Sequence, residues 1–432
     1  MYTKQLPGVV IAGGGVGGLC LAHGLRRAGV PVRVLERTRS RTDWLQGYRI
    51  HIDPQGSAAL SACLSPAAWA SFCAAVSDET PGFAFRTETL APLLEIAHAD
   101  GIEPDPALRH HGISRIALRE ALLTDLDDVV EHGRTVTGYT VHDGRVAVRL
   151  HDGDHVAADL LVGADGANSR VRAQLAPHAH RVDTGVVAIA GKHRLGPGTD
   201  LPDELLRSPV SVLPRHRGFL FCAVWRGDHT ALVAPPADAP PGFLLDTTSD
   251  TTSDYVFWAY ADTAATFPEH DTLVGLPGEQ LQALVGEQIL MWSPHLRRLV
   301  AGSEPDTVRP VRMRSAARPA PWPSGPVTLL GDAIHNMTPM AGIGANTALR
   351  DAALLTRQIS RAAGADAVPL RAAVGEYERE MFEYGFRAVA ASHRNATLAG
   401  SHSRTRRGAV RAALRLADRI PPVKNRVLEA MS

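Results

Sequence analysis

A glycine-rich turn near the start of the chain separates a short apolar run from a helical pattern. The apolar run covers residues 9–12, helical spacing covers residues 17–28, and a second apolar run covers residues 31–36. Gly29 stands where a helix would stop. We therefore predict a βαβ unit, the opening of an α/β fold.

The glycines of this unit follow the pattern GxGxxG at Gly13, Gly15 and Gly18, and Glu36 ends the second apolar run. Gly13 permits a tight turn, Gly15 lets a pyrophosphate approach the backbone, and Gly18 allows the helix to pack closely on the sheet. The N–H groups at the helix start favour phosphates. Glu36 can accept hydrogen bonds from ribose hydroxyls. GxGxxG alone is a weak signal, but its context predicts a dinucleotide site.

Composition favours a small-molecule partner. The chain has 432 residues with 45 Lys+Arg and 45 Asp+Glu, so no net field attracts nucleic acid or an anionic membrane. From residue 387 to the last residue, ten Lys/Arg stand against two Asp/Glu. We interpret this stretch as a solvated helix face, because no nucleic-acid module or aromatic interleaving accompanies it; a nucleic-acid or lipid surface is the alternative.

Cysteine usage and the apolar runs bear on the compartment. The 4 cysteines show no CxxC spacing, so we expect free thiols and neither a disulfide framework nor a metal site. Glycines interrupt the apolar run after Lys4, which favours a strand over a signal peptide. No run approaches the length of about 18 apolar residues that spans a bilayer. We expect a cytoplasmic protein with no integral membrane segment.

The rest of the chain suggests two further regions. Three alternating runs begin at Val136, separated by two Asp-Gly hairpin signals, and the third ends in DLLVGADGANSR. Short β-rich runs then follow, with a polar loop at residues 235–254. We expect the first part of a dinucleotide domain at residues 1–170, a β-rich substrate domain at 171–310, the second part of the dinucleotide domain at 311–365, and a C-terminal helical region at 366–432.

Two Gly-Asp motifs follow apolar runs later in the chain. Asp165 lies in GADGANSRVR, and Asp332 lies in GDAIH. Taken singly, either aspartate is explained as a turn residue that caps backbone N–H groups. Their occurrence together, after a full βαβ fingerprint, favours a shared role in the cofactor site.

These motifs, with the segment ISRIALREALL and the stretch GDAIHNMTPMAGIGAN, resemble those of the group A flavoprotein monooxygenases, the FAD-dependent aromatic-hydroxylase-like family. The resemblance covers residues 9 to about 353. It implies a Rossmann-like FAD-binding domain of the para-hydroxybenzoate-hydroxylase type, a mainly antiparallel β-sheet substrate domain and C-terminal helices. Gln46 departs from the family, which often has a glycine there.

The resemblance also implies roles for individual residues. Arg115 matches the arginine near the FAD pyrophosphate, and Asp332 matches the aspartate that holds ribityl or pyrophosphate-linked groups. Asp165 belongs to the motif associated with FAD support and NAD(P)H use. The segment beneath the flavin pyrimidine comprises Gly342, Gly344, Ala345 and Asn346. The remaining residues that we assign to cofactor binding are Val16, Gly17, Arg37, Gly47, Arg49, Gly331 and Pro339.

The expected function is that of an FAD-dependent monooxygenase which uses NAD(P)H and O₂ on an aromatic or polyketide-like small molecule, in natural-product biosynthesis or catabolism. No second GxGxxG appears, so NAD(P)H is expected as a transient co-substrate. Neither a catalytic residue nor the oligomeric state is assigned by the sequence. One alternative is an FAD-binding cyclase or isomerase that uses the flavin structurally, and another is a non-catalytic nucleotide-sensing module.

Overall fold

The computed structural model describes residues 8–39, 49–76, 82–96, 103–226, 254–363, 368–420 and 424. Gly47 and most of the predicted loop at residues 235–254 lie outside the described residues. The chain divides into two compact units. The first comprises residues 1–76, 103–182 and 314–393, and the second comprises 77–102, 183–313 and 394–432.

The strands carry the framework of both units. In chain order they are β1 (Val9–Ala12), β2 (Val32–Glu36), β3 (Arg49–Ile52), β4 (Phe83–Arg86), β5 (Pro92–Ile96), β6 (His111–Ser114), β7 (Val130–His132), β8 (Val136–His142), β9 (Arg145–Leu150), β10 (His155–Ala158), β11 (Leu160–Gly163), β12 (Arg181–Arg194), β13 (Val210–Val212), β14 (Phe219–Trp225), β15 (Tyr255–Thr263), β16 (Arg309–Ala316) and β17 (Val327–Leu329).

Helices occur in both units, and the longest of those described begins at Leu370. They are α1 (Val16–Arg27), α2 (Pro54–Cys63), α3 (Pro66–Ala75), α4 (Arg115–Leu123), α5 (Arg170–Leu175), α6 (Asp203–Leu206), α7 (His270–Gly275), α8 (Gly278–Gln288), α9 (Pro294–Ala301), α10 (Asp332–His335), α11 (Gly344–Ala363), α12 (Leu370–Ala399) and α13 (Arg404–Arg419). Single 3₁₀ turns cover Pro106–Leu108, Ala264–Thr266, Pro305–Thr307 and Pro339–Ala341.

A five-stranded sheet in the order β17, β11, β1, β2, β7 forms the centre of the first unit, and all its pairings are parallel. Every residue of β1 and β11 is buried. Strands covered on both faces read as continuous apolar runs, which explains why these two show no alternation. The predicted βαβ opening is confirmed, with α1 ending at Arg27, one residue before the predicted helix end at Ala28, and Gly29 at a φ of +71°.

The predicted third run of the meander is two strands. β8, β9 and β10 form an antiparallel sheet, whereas β11 joins the central parallel sheet beside β1. Asp159 separates the two: its N–H donates to the Gly8 carbonyl at 2.8 Å, and its carboxylate accepts from the Gly8 N–H at 2.9 Å. The GADG motif therefore follows a strand of the central sheet and not a meander strand.

A seven-stranded sheet in the order β16, β12, β15, β14, β13, β4, β5 provides most of the strands of the second unit. The pairs from β12 to β13 and the pair β4–β5 are antiparallel, while β4 and β13 are parallel, with Ala84 opposite Val210. Trp258 and Tyr260 are fully buried in its core. The predicted α/β class, with a mainly antiparallel second region, is confirmed.

The limits of the two units differ from those expected from sequence. Residues 77–102 join the second unit because β4 pairs with β13, and residues 394–432 join it because Ala417 packs with Leu94 and Ile96. Residues 171–182 and 366–393 belong to the first unit. Among the described residues, no helix is long and apolar enough to cross a bilayer, and no cluster of three or more His, Cys, Asp or Glu side chains is arranged to hold a metal ion.

Candidate cofactor site

The carboxyl ends of the central strands bring the separate motifs together. The Ala164 N–H donates to the Ala12 carbonyl at 2.8 Å, and the Leu330 N–H donates to the Gly163 carbonyl at 2.9 Å. The turns after β1, β11 and β17 are therefore neighbours at one edge of the sheet, although the sequence separates them widely. Ligands of open α/β sheets bind at this edge.

Three glycines of the GxGxxG segment, one in the turn and two in α1, are closely packed. A Cβ on Gly13, whose φ is +110°, would lie 2.3 Å from the Ala164 carbonyl oxygen. A Cβ on Gly18 would lie 2.2 Å from the Gly13 oxygen, and one on Gly17 would lie 2.4 Å from Leu330 Cδ2. These contacts hold α1 against the sheet and against the turn after β17.

Gly15 has a different environment. It is exposed, and a Cβ built on it meets nothing within 4 Å. It is the N-cap of α1 without a side-chain hydrogen bond, Val16 begins the helix half-buried, and the first turn contains no acidic residue. A helix start leaves N–H groups without intrahelical partners and carries positive potential. Open space at such a helix start fits a diphosphate.

Glu36 and Arg119 fix the peptide of Gly14. The Gly14 N–H donates to Glu36 Oε2 at 2.6 Å, and Arg119 Nη1 donates to the Gly14 carbonyl at 2.6 Å. The other carboxylate oxygen of Glu36 accepts from the Thr38 N–H at 2.9 Å. Sequence reasoning missed Arg119, although it stands one helical turn after Arg115, where residues four apart share a helix face.

Arg115 begins α4, whose N-cap Ser114 accepts a hydrogen bond from the Ala117 N–H at 3.0 Å. Solvent reaches the Arg115 side chain, yet desolvation by the surrounding protein lowers the pKa of its guanidinium. The charge of Asp332 acts on the same pKa in the opposite direction. The two residues, predicted from separate motifs, are therefore close enough to interact.

The two Gly-Asp aspartates use their carboxylates differently. Asp165 accepts from the Ser169 hydroxyl at 2.5 Å, and from the N–H groups of Arg170 at 2.7 Å and Val171 at 3.3 Å, at the start of α5. Asp332 is exposed, and no hydrogen bond to its carboxylate occurs within the described part of the chain. Asp165 thus acts as a local cap, whereas Asp332 is available to a ligand.

A buried polar network supports the turn before Asp332. Gly331 adopts a φ of +63°, and its N–H donates to Asp351 Oδ2 at 2.8 Å. His335 Nε2 lies 2.6 Å from the same oxygen, and the Tyr384 hydroxyl donates to Asp351 Oδ1 at 2.5 Å. Burial by itself lowers the pKa of His335, but the charge and hydrogen bond of Asp351 outweigh it, so the pKa is raised.

The segment predicted beneath the flavin ring is a 3₁₀ turn followed by a helix start. Pro339 is exposed, Gly342 has a φ of +69°, and α11 begins at Gly344, with Ala345 half-buried. Asn346 is buried: its Oδ1 accepts from the Asp53 N–H at 3.1 Å, and its Nδ2 donates to the His51 carbonyl at 3.1 Å. Its side chain therefore ties α11 to the backbone of β3 and to the N-cap residue of α2.

The remaining residues predicted to bind the cofactor are Arg37, Arg49 and Gly47. Arg37 is exposed just after β2. The backbone of Arg49 pairs with Ser114 in β3–β6, which places β3 beside the start of α4. Gly47 lies outside the described residues.

Comparisons with known proteins identify a related domain and a related structure. The model of the FAD binding domain matches residues 295–384. A crystal structure described as an FAD containing monooxygenase, from Photorhabdus luminescens subsp. laumondii TTO1, is 35% identical in sequence with a TM-score of 0.79, over 91% of this chain and 98% of that one.

Two curated relatives are similar over most of this chain. The dual O-methyltransferase/FAD-dependent monooxygenase elcB of Phaeosphaeria nodorum is 29% identical over 394 residues, 85% of this chain but 42% of that protein. The aurachin C monooxygenase/isomerase of Stigmatella aurantiaca is 28% identical over 399 residues, 89% of this chain and 88% of that protein. The chain thus spans about two fifths of the length of elcB. By these similarities, the chain belongs to the FAD-dependent monooxygenases of the group A flavoprotein family, with FAD as its cofactor.

Proposed function

We propose that the chain is a monooxygenase which uses FAD, NAD(P)H and O₂ to hydroxylate or epoxidise an aromatic or polyketide-like small molecule, in natural-product biosynthesis or catabolism. The observation that carries this proposal is the sheet edge at which Gly15 is open, α1 starts without a cap and the Asp332 carboxylate has no donor within the described residues. We also propose a cytoplasmic location, because all four cysteines are free thiols.

The residues that would hold FAD are those of the sheet edge. The start of α1 at Gly15 and Val16 would receive the diphosphate, with Arg115 adding positive charge. The Asp332 carboxylate would accept hydrogen bonds from cofactor hydroxyl groups. Glu36 already accepts two backbone hydrogen bonds, and since a carboxylate has about four lone-pair sites, it can also accept from ribose hydroxyls.

The start of α11 would act on the flavin ring system. Backbone N–H groups near Gly344 and Ala345 stand at the positive end of a long helix, which stabilises a nearby anion by up to about 2 kcal/mol when partly buried. Asn346 would orient this helix start, because both ends of its amide are hydrogen-bonded to the backbone at residues 51 and 53.

Bound FAD would supply the redox chemistry, accepting hydride from NAD(P)H and activating O₂. The chain contributes binding, orientation and electrostatics. We assign no catalytic base: His335 is buried against Asp351, and His111 Nε2 lies 2.8 Å from the Pro106 carbonyl oxygen.

A second candidate is an isomerase or cyclase in which FAD has a structural role. The similarity to a relative named as an aurachin C monooxygenase/isomerase supports this candidate. Both functions need the same cofactor residues, so only turnover separates them.

The test is a turnover assay on the purified, FAD-loaded chain. NADH and NADPH oxidation and O₂ uptake are followed against a panel of phenols and aromatic polyketides, and products are analysed for gain of one oxygen atom. We expect substrate-stimulated oxidation of the reduced nicotinamide together with an oxygenated product. A yellow protein whose flavin is not reduced with any substrate favours the isomerase. A colourless protein that cannot be reconstituted with FAD eliminates both candidates.

A further inference from the structure

The basic C-terminal stretch contains arginines with two distinct environments. On α13, Arg407 and Arg411 are buried, whereas Arg404 and Arg415 are exposed. Arg404 and Arg415 are eleven positions apart and lie on one face of the helix, since this spacing is close to three full turns. The interpretation of this stretch as a uniformly solvated helix face is therefore incomplete.

Arg407 anchors a loop of the second unit. Its guanidinium is fully buried and donates to the carbonyls of Leu398 at 3.4 Å and Ala399 at 2.8 Å, which are the last residues of α12. It also donates to the carbonyls of Ser401 at 2.5 Å and Pro214 at 3.2 Å. The helix end and the loop at Pro214 are thus held by one side chain.

Arg411 holds the same loop from the next turn of the helix. Its Nη1 lies 2.8 Å from Glu88 Oε2 and 3.3 Å from the Leu213 carbonyl oxygen. Only 7% of its side chain is exposed. Two buried arginines therefore fix the backbone immediately before Arg215 and His216, which are exposed with the next residue, Arg217.

The loop and α13 line an open groove of about 390 Å³, which we call the arginine groove. Arg404, Arg411 and Arg415 line it from the helix, and Arg215 and His216 line it from the loop. Gly408 and Ala412, one turn apart, keep the helix side open, and a Cβ on Gly408 would meet nothing within 4 Å.

The charge in the arginine groove is largely uncompensated. Glu88 pairs with Arg411. No carboxylate among the described residues forms an ion pair with Arg215, Arg404 or Arg415, although the whole chain carries equal numbers of acidic and basic residues. The three exposed arginines Arg215, Arg404 and Arg415 line the same groove. Guanidiniums in this arrangement bind phosphate groups through paired hydrogen bonds.

We propose that the arginine groove binds a small molecule carrying two or more phosphate groups. At pH 7 one phosphate carries at most about two negative charges, fewer than the three positive charges of Arg215, Arg404 and Arg415, so the groove favours a ligand with more than one phosphate. The volume of the groove is that of a small-ligand site. The site lies wholly within the second unit and does not depend on the proposed oxygenation.

The experiment is a calorimetric titration of the FAD-loaded full chain with inorganic pyrophosphate, at ionic strength balanced with KCl. FAD occupies the dinucleotide site, so the probe reports on other sites. We expect saturable binding, weakened at least about tenfold in the double variant Arg404→Gln/Arg415→Gln. Arg406→Gln is the matched control, because Arg406 is exposed on the same helix but does not line the groove. It should bind pyrophosphate like the unaltered chain.

The proposal is overturned if pyrophosphate shows no saturable binding, or if the double variant and Arg406→Gln bind it equally. Sedimentation with vesicles containing phosphatidylserine provides a second arm. Vesicle binding lost in the double variant, without pyrophosphate binding, would identify a lipid surface and also reject the proposal. Thermal unfolding of each variant establishes that it is folded. Arg215→Gln alters only the loop side of the groove and should also weaken pyrophosphate binding.

Discussion

His335 Nε2 lies 2.6 Å from Asp351 Oδ2, and both side chains are almost completely buried. The same carboxylate oxygen accepts the N–H of Gly331, at the turn that presents Asp332. The network therefore links a residue on α11 to the backbone of a predicted cofactor contact. Because Asp351 is buried, water cannot replace its carboxylate as the acceptor of the Gly331 N–H.

Asp351→Asn is expected to destabilise the protein and loosen FAD. Removing one charge of a buried pair typically costs about 3 to 5 kcal/mol. Urea unfolding measures the stability, and flavin fluorescence titration measures FAD affinity. Asp128→Asn is the control, because its ion pair with Arg26 is exposed and should contribute little. Equal stability of the two variants would contradict a supporting role for Asp351.

The pair also predicts a pH dependence of stability. The pKa of His335 is raised in the folded protein from 6.5. Its contribution to stability is therefore fully present below pH 6.5 and is lost as the pH rises through the folded-state pKa. The difference in unfolding free energy between the unaltered chain and His335→Gln should be larger at acidic than at alkaline pH. A constant difference across the range would show that His335 is not charged in the folded state.

Substitutions of the two Gly-Asp aspartates should have different effects on FAD binding and on the stability of the apoprotein. Asp332→Ala is expected to lose FAD while the apoprotein unfolds as before, because this carboxylate has no hydrogen-bond donor among the described residues. Asp165→Ala removes a helix cap and should lower the stability of the apoprotein by about 1 kcal/mol. Unfolding of the apoproteins and FAD titration are measured for both. Tight FAD binding by Asp332→Ala would refute its assignment.

Substitutions of Gly15 and Gly18 should also differ in their effects on FAD affinity and stability. Gly15→Ala adds a methyl group where nothing lies within 4 Å, at an allowed φ of −80°, so the fold should be retained. FAD affinity should fall, since the methyl group occupies the proposed diphosphate position. Gly18→Ala places its Cβ 2.2 Å from the Gly13 oxygen and should cost about 1 to 3 kcal/mol of stability. Unchanged FAD affinity in Gly15→Ala would move the diphosphate elsewhere.

The local sequence pattern was sufficient to predict several elements of the fold. The β1–α1–β2 unit and the hairpin at Asp143–Gly144, where both residues have positive φ, follow from periodicity and turn chemistry among near neighbours. The pairing of β4 with β13 was not predictable, because it joins segments more than one hundred residues apart and depends on sheet packing. The boundaries of the two units depend on that pairing.

The sequence by itself determined that glycines, acids and strand ends recur in the order of an FAD fingerprint, because tight turns and helix starts need those residue types locally. Only the tertiary structure decided how similar motifs are used. The Asp165 carboxylate accepts hydrogen bonds from N–H groups of the adjacent helix. At the second motif, Asp351 accepts the Gly331 N–H, and the Asp332 carboxylate has no donor among the described residues. Competition between a local cap and a distant buried partner is settled by packing, which no short window of sequence contains.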